Sequence, residues 1–308
     1  MKYATRINSF KRNEKDIFKI LDKISKIEGI THVDLNYPEH FENTTWEAIK
    51  DKLDEVGLKL NGLALRFRDE FINGELANTD EELSNKAKQL CFEAVDRCKK
   101  MNGEIVTIWL GYDGFDYCFQ QDYAKVWEKI KSSLVEICDI EESIKVSVEY
   151  KPFEPRVFSA IPSSTATLLM VTEVNKANIG VTLDYCHMLM KNENPAYGLA
   201  LVAERNKLYG IHMNDGFGLQ DDGLMVGSVT LVQTLEFIYY LKKYGYDGVV
   251  YFDTFPKRES DVEECKYNIK MFDKLCNCID NYGIEKINEL VSKNSGFSTM
   301  DILLDILK

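Results

Sequence analysis

Eight short apolar runs alternate with eight long amphipathic runs along most of this 308-residue chain. The runs that read as strands are Tyr3 to Ile7, His32 to Leu35, Leu58 to Ala64, Ile105 to Trp109, Ile144 to Val148, Ile179 to Leu183, Leu208 to Ile211 and Gly248 to Phe252. Between and after them, apolar residues recur at helical spacing from Asp16 to Ile27, Thr45 to Val56, Asp80 to Met101, Asp122 to Cys138, Ser164 to Val174, Ala196 to Arg205, Val229 to Tyr244 and Asp261 to Tyr282. Strands that are apolar throughout are buried on both faces, as in a parallel sheet wrapped by helices. Eight βα units predict an α/β fold, a closed (β/α)8 TIM barrel, with an open doubly wound sheet as the alternative. No Pro/Gly/Ser linker divides the chain, so residues 1–282 read as one barrel domain. Residues 283–308 read as a short C-terminal helical extension, with helices expected at Ile284 to Val291 and Met300 to Leu307.

Charge narrows the partners. With 38 Lys and Arg against 50 Asp and Glu, the net charge is −12, which opposes binding to nucleic acid or to anionic membranes. Apolar residues make up 45%, enough for a large core. No apolar run is long enough to span a membrane, and the charged Met1 to Lys11 segment has no signal core. A cytoplasmic protein with reduced thiols is therefore expected. Cys91 and Cys98, seven apart on a predicted helix, share a core-facing side. The spacing of Cys276 and Cys278 is not that of a CxxC zinc motif.

The chemistry is signalled at the C-terminal end of each late strand. Strand five ends in Glu149-Tyr-Lys151-Pro152, strand six in Asp184-Tyr-Cys-His187, strand seven in His212-Met-Asn214-Asp215 and strand eight in Asp253-Thr-Phe-Pro256. In a barrel these ends converge on one face, where active sites lie. Glu149, Asp184, His212 and Asp253 are thus expected to bind one divalent ion, Mn²⁺ first, with Co²⁺, Mg²⁺ or Zn²⁺ as alternatives. Any single acid after a strand also serves as the N-cap of the next helix; four in register are harder to explain that way. His187, three residues after Asp184, points toward the same mouth. With Asp221 and Asp222 of the loop after strand seven it is a candidate second metal site. Lys151 shares the face of Glu149 and can stabilise developing negative charge. Trp109, ending strand four, offers a wall for a sugar face. His40, Arg66, Asp113 and Asn214 are further candidates for substrate contact, and Glu149, Lys151, His187 and Asp253 for catalysis. The chain contains no P-loop, GxGxxG or GxSxG motif.

At these motifs the chain resembles the xylose-isomerase-like superfamily of sugar isomerases and epimerases, over most of residues 1–280. The His212-Met-Asn214-Asp215 segment and Gly227-Ser228 are similar to the L-rhamnose isomerase branch, and the length is closer to the D-tagatose 3-epimerase branch. The resemblance implies that Glu149, Asp184, His212 and Asp253 hold a first metal. It implies that His187 and the acidic loop hold a second, catalytic metal, and that Lys151 and Trp109 line the sugar site. It also implies a homodimer or homotetramer that interconverts an aldose and a ketose. The alternatives are a ketose 3-epimerase, a non-catalytic sugar-binding barrel subunit, and a lyase or dehydratase using the same enolisation. An endonuclease on this fold is opposed by the charge. Two departures stand out. The acidic loop is Gln220-Asp221-Asp222-Gly223-Leu224 rather than Asp-x-Asp followed by Leu, so one carboxylate is replaced or shifted. The epimerase branch has Glu where this chain has Asp253, one methylene shorter.

Overall fold

A computed structural model describes residues 1–306 of the chain. Eight parallel strands close on themselves: β1 (Lys2–Arg6), β2 (Ile30–Tyr37), β3 (Lys59–Leu65), β4 (Ile105–Trp109), β5 (Lys145–Glu149), β6 (Ile179–Asp184), β7 (Leu208–Met213) and β8 (Val249–Phe252). Each pairs with its sequence neighbours, and β1 pairs with β8, so no edge is left and the open-sheet alternative is excluded. The outer layer comprises α1 (Ile17–Ile24), α2 (Trp46–Val56), α3 (Glu81–Lys100), α4 (Tyr123–Cys138), α5 (Ser164–Val174), α6 (Tyr185–Met190), α7 (Pro195–Ala203), α8 (Leu231–Lys243) and α9 (Asp261–Tyr282).

Helix starts follow from short polar side chains. Asp16, Thr45, Asp80, Asp122, Ser163, Asn194 and Ser260 each accept a hydrogen bond from a first-turn backbone N–H. The helices then bury one apolar stripe against the strands. Cys91 and Cys98 on α3 are both fully buried, as their spacing predicts. Two elements escape the periodicity reading. α6 leaves β6 with no loop, and five of its six residues are buried, so it has no polar face to betray it. The antiparallel pair Gly114–Phe115 and Phe158–Ser159 is too short to register as a pattern.

The tail forms α10 (Ile284–Ser292) and α11 (Phe297–Ile306), which pack back on the molecule; Leu307 of the expected second helix lies outside the described residues. Ile287 and Leu290 are buried, and the Tyr239 hydroxyl on α8 donates to Asn288 Oδ1 at 2.6 Å. Among the described residues, no helix is long and apolar enough to cross a membrane.

Barrel closure leaves no slack where β3 meets β4. A Cβ added to Gly62 would lie 2.2 Å from the carbonyl oxygen of Ile105. Because the obstacle is backbone, Gly62→Ala is expected to cost roughly 1–3 kcal/mol. A urea midpoint equal to that of the parent would contradict this packing.

Candidate metal centre

The register of the strands brings the ligand-type residues together. Glu149 pairs with Trp109 on one side and Thr182 on the other, Asp184 pairs with His212, and His212 with Tyr251. One ligand atom from each of Glu149, Asp184, His212 and Asp253 lies within 4.8 Å of the other three. His212 Nδ1 is 3.3 Å from Glu149 Oε1 and 3.9 Å from Asp184 Oδ2.

Asp184 is both a helix cap and a member of this set. Its Oδ1 accepts from the His187 backbone N–H at 3.0 Å. The Asn214 amide donates to Oδ1 at 3.2 Å, to Oδ2 at 3.1 Å and to the Asp253 carbonyl at 3.1 Å. Asn214 Oδ1 accepts in turn from the Cys186 N–H at 2.8 Å. Asn214 is fully buried behind the carboxylates and does not line the cavity in front of them. It stands as a positioning residue, not as the substrate contact expected from the sequence.

That cavity, of about 200 Å³, is walled by Glu149, His187, His212, Asp221 and Asp253, with Lys151, Arg66 and Trp109 at its side. His187 Nδ1 lies 2.9 Å from the Tyr150 carbonyl and its Nε2 lies 3.4 Å from Asp221 Oδ2. Lys151 Nζ lies 3.1 Å from the same Asp221 oxygen and 3.0 Å from Glu154. Asp222 does not join them. Its Oδ2 accepts from the Phe217 N–H and its Oδ1 from the Gln220 side chain, both at 2.8 Å, so it closes its own loop. Of the three residues expected at a second metal site, His187 and Asp221 face the cavity and Asp222 does not.

Two more expected contacts are structural. His40 is buried with both ring nitrogens engaged: Nδ1 accepts from the Asn36 N–H at 2.9 Å, and Nε2 faces Asn8 Oδ1 at 2.7 Å. Burial pushes it down to about 3, so it is neutral, with Nε2–H donating. Asp113 lies in a reciprocal clamp. Its carboxylate accepts from the N–H groups of Glu75, Leu76 and Ala77, while Glu75 accepts from those of Tyr112 and Asp113. Burial pushes Asp113 up to about 6, the backbone donors notwithstanding. Neither His40 nor Asp113 lines the metal cavity.

Three further residues, Arg6, Asp34 and Tyr251, line the cavity without a motif that marks them. Arg6, at the end of β1, brings Nε to 3.1 Å from Asp253 Oδ1 and lies 4.1 Å from the centre of the Phe255 ring. Asp34, on β2, lines the cavity while Asn61 donates to its Oδ1 at 2.8 Å. Tyr251 packs on His212 with ring centres 4.6 Å apart. The available signal for Asp34 was an acid inside an otherwise strand-like run; Arg6 was hidden among exposed N-terminal charges.

The electrostatics fit a cation. Burial pushes Asp184 up to about 7; the charge of His187 opposes this, and Asp221, Glu149 and Asp253 add to it. Burial also raises Asp253, against the pull of Arg6. Burial alone would lower His212, yet the adjoining Glu149 carboxylate carries it up to about 10. Among the described residues, the buried Oδ1 atoms of Asp253 and Asp221 accept no hydrogen bond, although Arg6 Nε lies 3.1 Å from that of Asp253. Three carboxylates and one imidazole are a donor set for a divalent ion.

The family model of the xylose isomerase-like TIM barrels matches residues 21–275, and the chain belongs to this family. Among its relatives is the xylose isomerase of Thermus thermophilus, 26% identical over 224 residues; the match covers 70% of this chain and 57% of that enzyme. The chain thus spans little more than half the length of that relative. Among solved structures, a D-tagatose 3-epimerase-like protein superposes with a TM-score of 0.74 at 19% identity, covering 90% of this chain and 98% of that one. The IOLI protein with a binding zinc atom gives 0.70 at 16% identity, covering 90% and 98%. These likenesses establish the shared fold.

The neutral state of His40 has a measurable consequence. Its folded pKa is depressed, so the unfolded chain takes up a proton that the folded chain refuses. The stability this gives is present above the unfolded pKa of about 6.5 and is lost as pH falls. Between pH 7 and pH 5 the loss should be about 2 kcal/mol. In urea unfolding, the stability gap between the parent and His40→Gln should narrow by that amount at pH 5. A gap that does not move with pH would show that His40 is not held neutral.

Proposed function

We propose that this chain is a divalent-cation-dependent aldose–ketose isomerase that moves a proton between adjacent carbons of an open-chain sugar. The observation that carries this reading is the inequality of the two carboxylates at β5 and β8. Glu149 reaches into the cavity beside two imidazoles, whereas Asp253 is one methylene shorter and paired with Arg6. Isomerisation asks one base to lift a proton from one carbon and return it to the next on the same face. Inversion at one carbon asks for bases on opposite faces.

Glu149, Asp184, His212 and Asp253 would hold the cation, and three oxygens with one nitrogen suit Mn²⁺. When bound, such an ion polarises a sugar carbonyl and acidifies the neighbouring C–H. Glu149 has two oxygens, so it can contribute one to the cation and use the other for the proton. Lys151 and Trp109 both line this cavity, where Lys151 would stabilise negative charge developing on a sugar oxygen and Trp109 would wall the sugar. The turning away of Asp222 favours proton transfer over a hydride shift, which draws on two metals. A ketose 3-epimerase is the second reading. It is favoured by the buried Asp253 Oδ1, which accepts no hydrogen bond and would have to act as the second base.

A panel of aldoses labelled with deuterium at C2, together with free ketoses, assayed with Mn²⁺ and again after chelation, separates these readings. We expect ketose formation that stops on chelation, label appearing in solvent, and unchanged configuration at C3. Glu149→Gln should lower kcat on the order of 10²–10⁴-fold. Complete retention of label would point to a hydride shift and inversion at C3 to an epimerase. Absence of turnover for every sugar would end the catalytic reading.

A further inference from the structure

A second cavity of about 310 Å³ adjoins the first, and Arg66, Trp109 and Lys151 line both. Its cationic groups are Arg66, Arg68 and Lys151, and its acids are Asp69, Glu75 and Glu154. Every acid is already engaged. Asp69 accepts from the Tyr112 hydroxyl at 3.1 Å, Glu75 from the backbone N–H groups of Tyr112 and Asp113, and Glu154 pairs with Lys151 at 3.0 Å. Two of the cations are engaged as well: Arg68 with Glu39 at 3.3 Å, and Lys151 with Asp221 at 3.1 Å.

Arg66 differs. Among the described residues it has no ion pair; its guanidinium carbon lies 5.2 Å from the centre of the Trp109 ring. Lys151 Nζ lies 5.7 Å from the centre of the same ring. Two cations are thus gathered on one aromatic side chain, in a chain of net charge −12. A guanidinium held over a ring by its face keeps its planar fork of N–H donors, which matches a phosphate or carboxylate in two-pronged fashion.

We infer that this side chamber receives an anionic group, a phosphate monoester or a carboxylate, at the end of the sugar remote from the carbonyl. The inference rests on the isomerase reading for the sugar itself. The cation cavity takes the carbonyl end, Trp109 covers the middle of the chain, and Arg66 takes the anion, with Lys151 between the two cavities. The substrate class is then sugar phosphates or sugar acids rather than neutral sugars.

The test pairs activity with direct binding. In the Mn²⁺-loaded protein, each neutral sugar is compared with its terminal phosphate and with its terminal carboxylic acid. One of the two anionic series should show kcat/KM at least tenfold above the neutral one, and which series does so identifies the anion. Arg66→Met should lower kcat/KM for that series at least tenfold more than for neutral sugars, and Arg66→Lys should restore part of the loss. Equal losses across all series would overturn the inference and leave the isomerase reading intact. Independently, calorimetric titration of metal-free protein with inorganic phosphate and with acetate should show saturable binding of one of them, weakened at least tenfold in Arg66→Met. That binding without turnover of any sugar would keep the anion chamber and remove the isomerase. Binding of neither anion, or binding indifferent to Arg66, would overturn the chamber.

Discussion

Carboxylates repel one another, and burial makes each costlier to ionise. The barrel nonetheless holds Glu149, Asp184 and Asp253 around His212, with ligand atoms within 4.8 Å. It can do so because each residue lies at or just beyond the C-terminal end of a strand in a closed ring, so the ladders fix their backbones close together. Asn214 adds a brace, donating to both oxygens of Asp184 and to the carbonyl of Asp253. The rest of the molecule serves this constraint: the parallel ladders set the strand spacing, and buried clamps such as Glu75–Asp113 hold the loops that follow β3 and β4.

The same constraint explains what the sequence made legible. Strand ends were readable because the C-terminal ends of barrel strands converge on one face, and Glu149, Asp184 and His212 lie at or next to such ends. The closed barrel followed from eight repeats of one rhythm. Loop side chains were not readable in this way. Asp221 and Asp222 are adjacent and chemically identical. Only the turn, which lets Asp222 accept from the Phe217 N–H, decides that Asp221 faces the cavity. His40 and Asp113 looked available because a sequence does not show which backbone donors will enclose a side chain. Arg6 lies on the first strand, far in sequence from Asp253, and meets it only because the barrel closes.

Function then turns on small asymmetries rather than on the fold. Barrels of this family share their topology, so the proposed chemistry is argued from the site rather than from the fold. Here Arg6 shields the carboxylate at β8 while two imidazoles flank the one at β5. Three of the chain's many acids, Glu149, Asp184 and Asp253, form the candidate cation site with His212, and the few cations near the mouth stand out against the acidic balance.

The proposed chemistry depends on a single cation bound by Glu149, Asp184, His212 and Asp253. It is tested most directly by elemental analysis after equilibration with Mn²⁺ and removal of free ion. Asp184→Asn is the informative variant, because Asn can still cap α6 while losing the carboxylate charge. The expected result is one ion per chain in the parent and almost none in Asp184→Asn, with circular dichroism unchanged. Two ions per chain, or an Asp184→Asn protein that retains its ion, would contradict it.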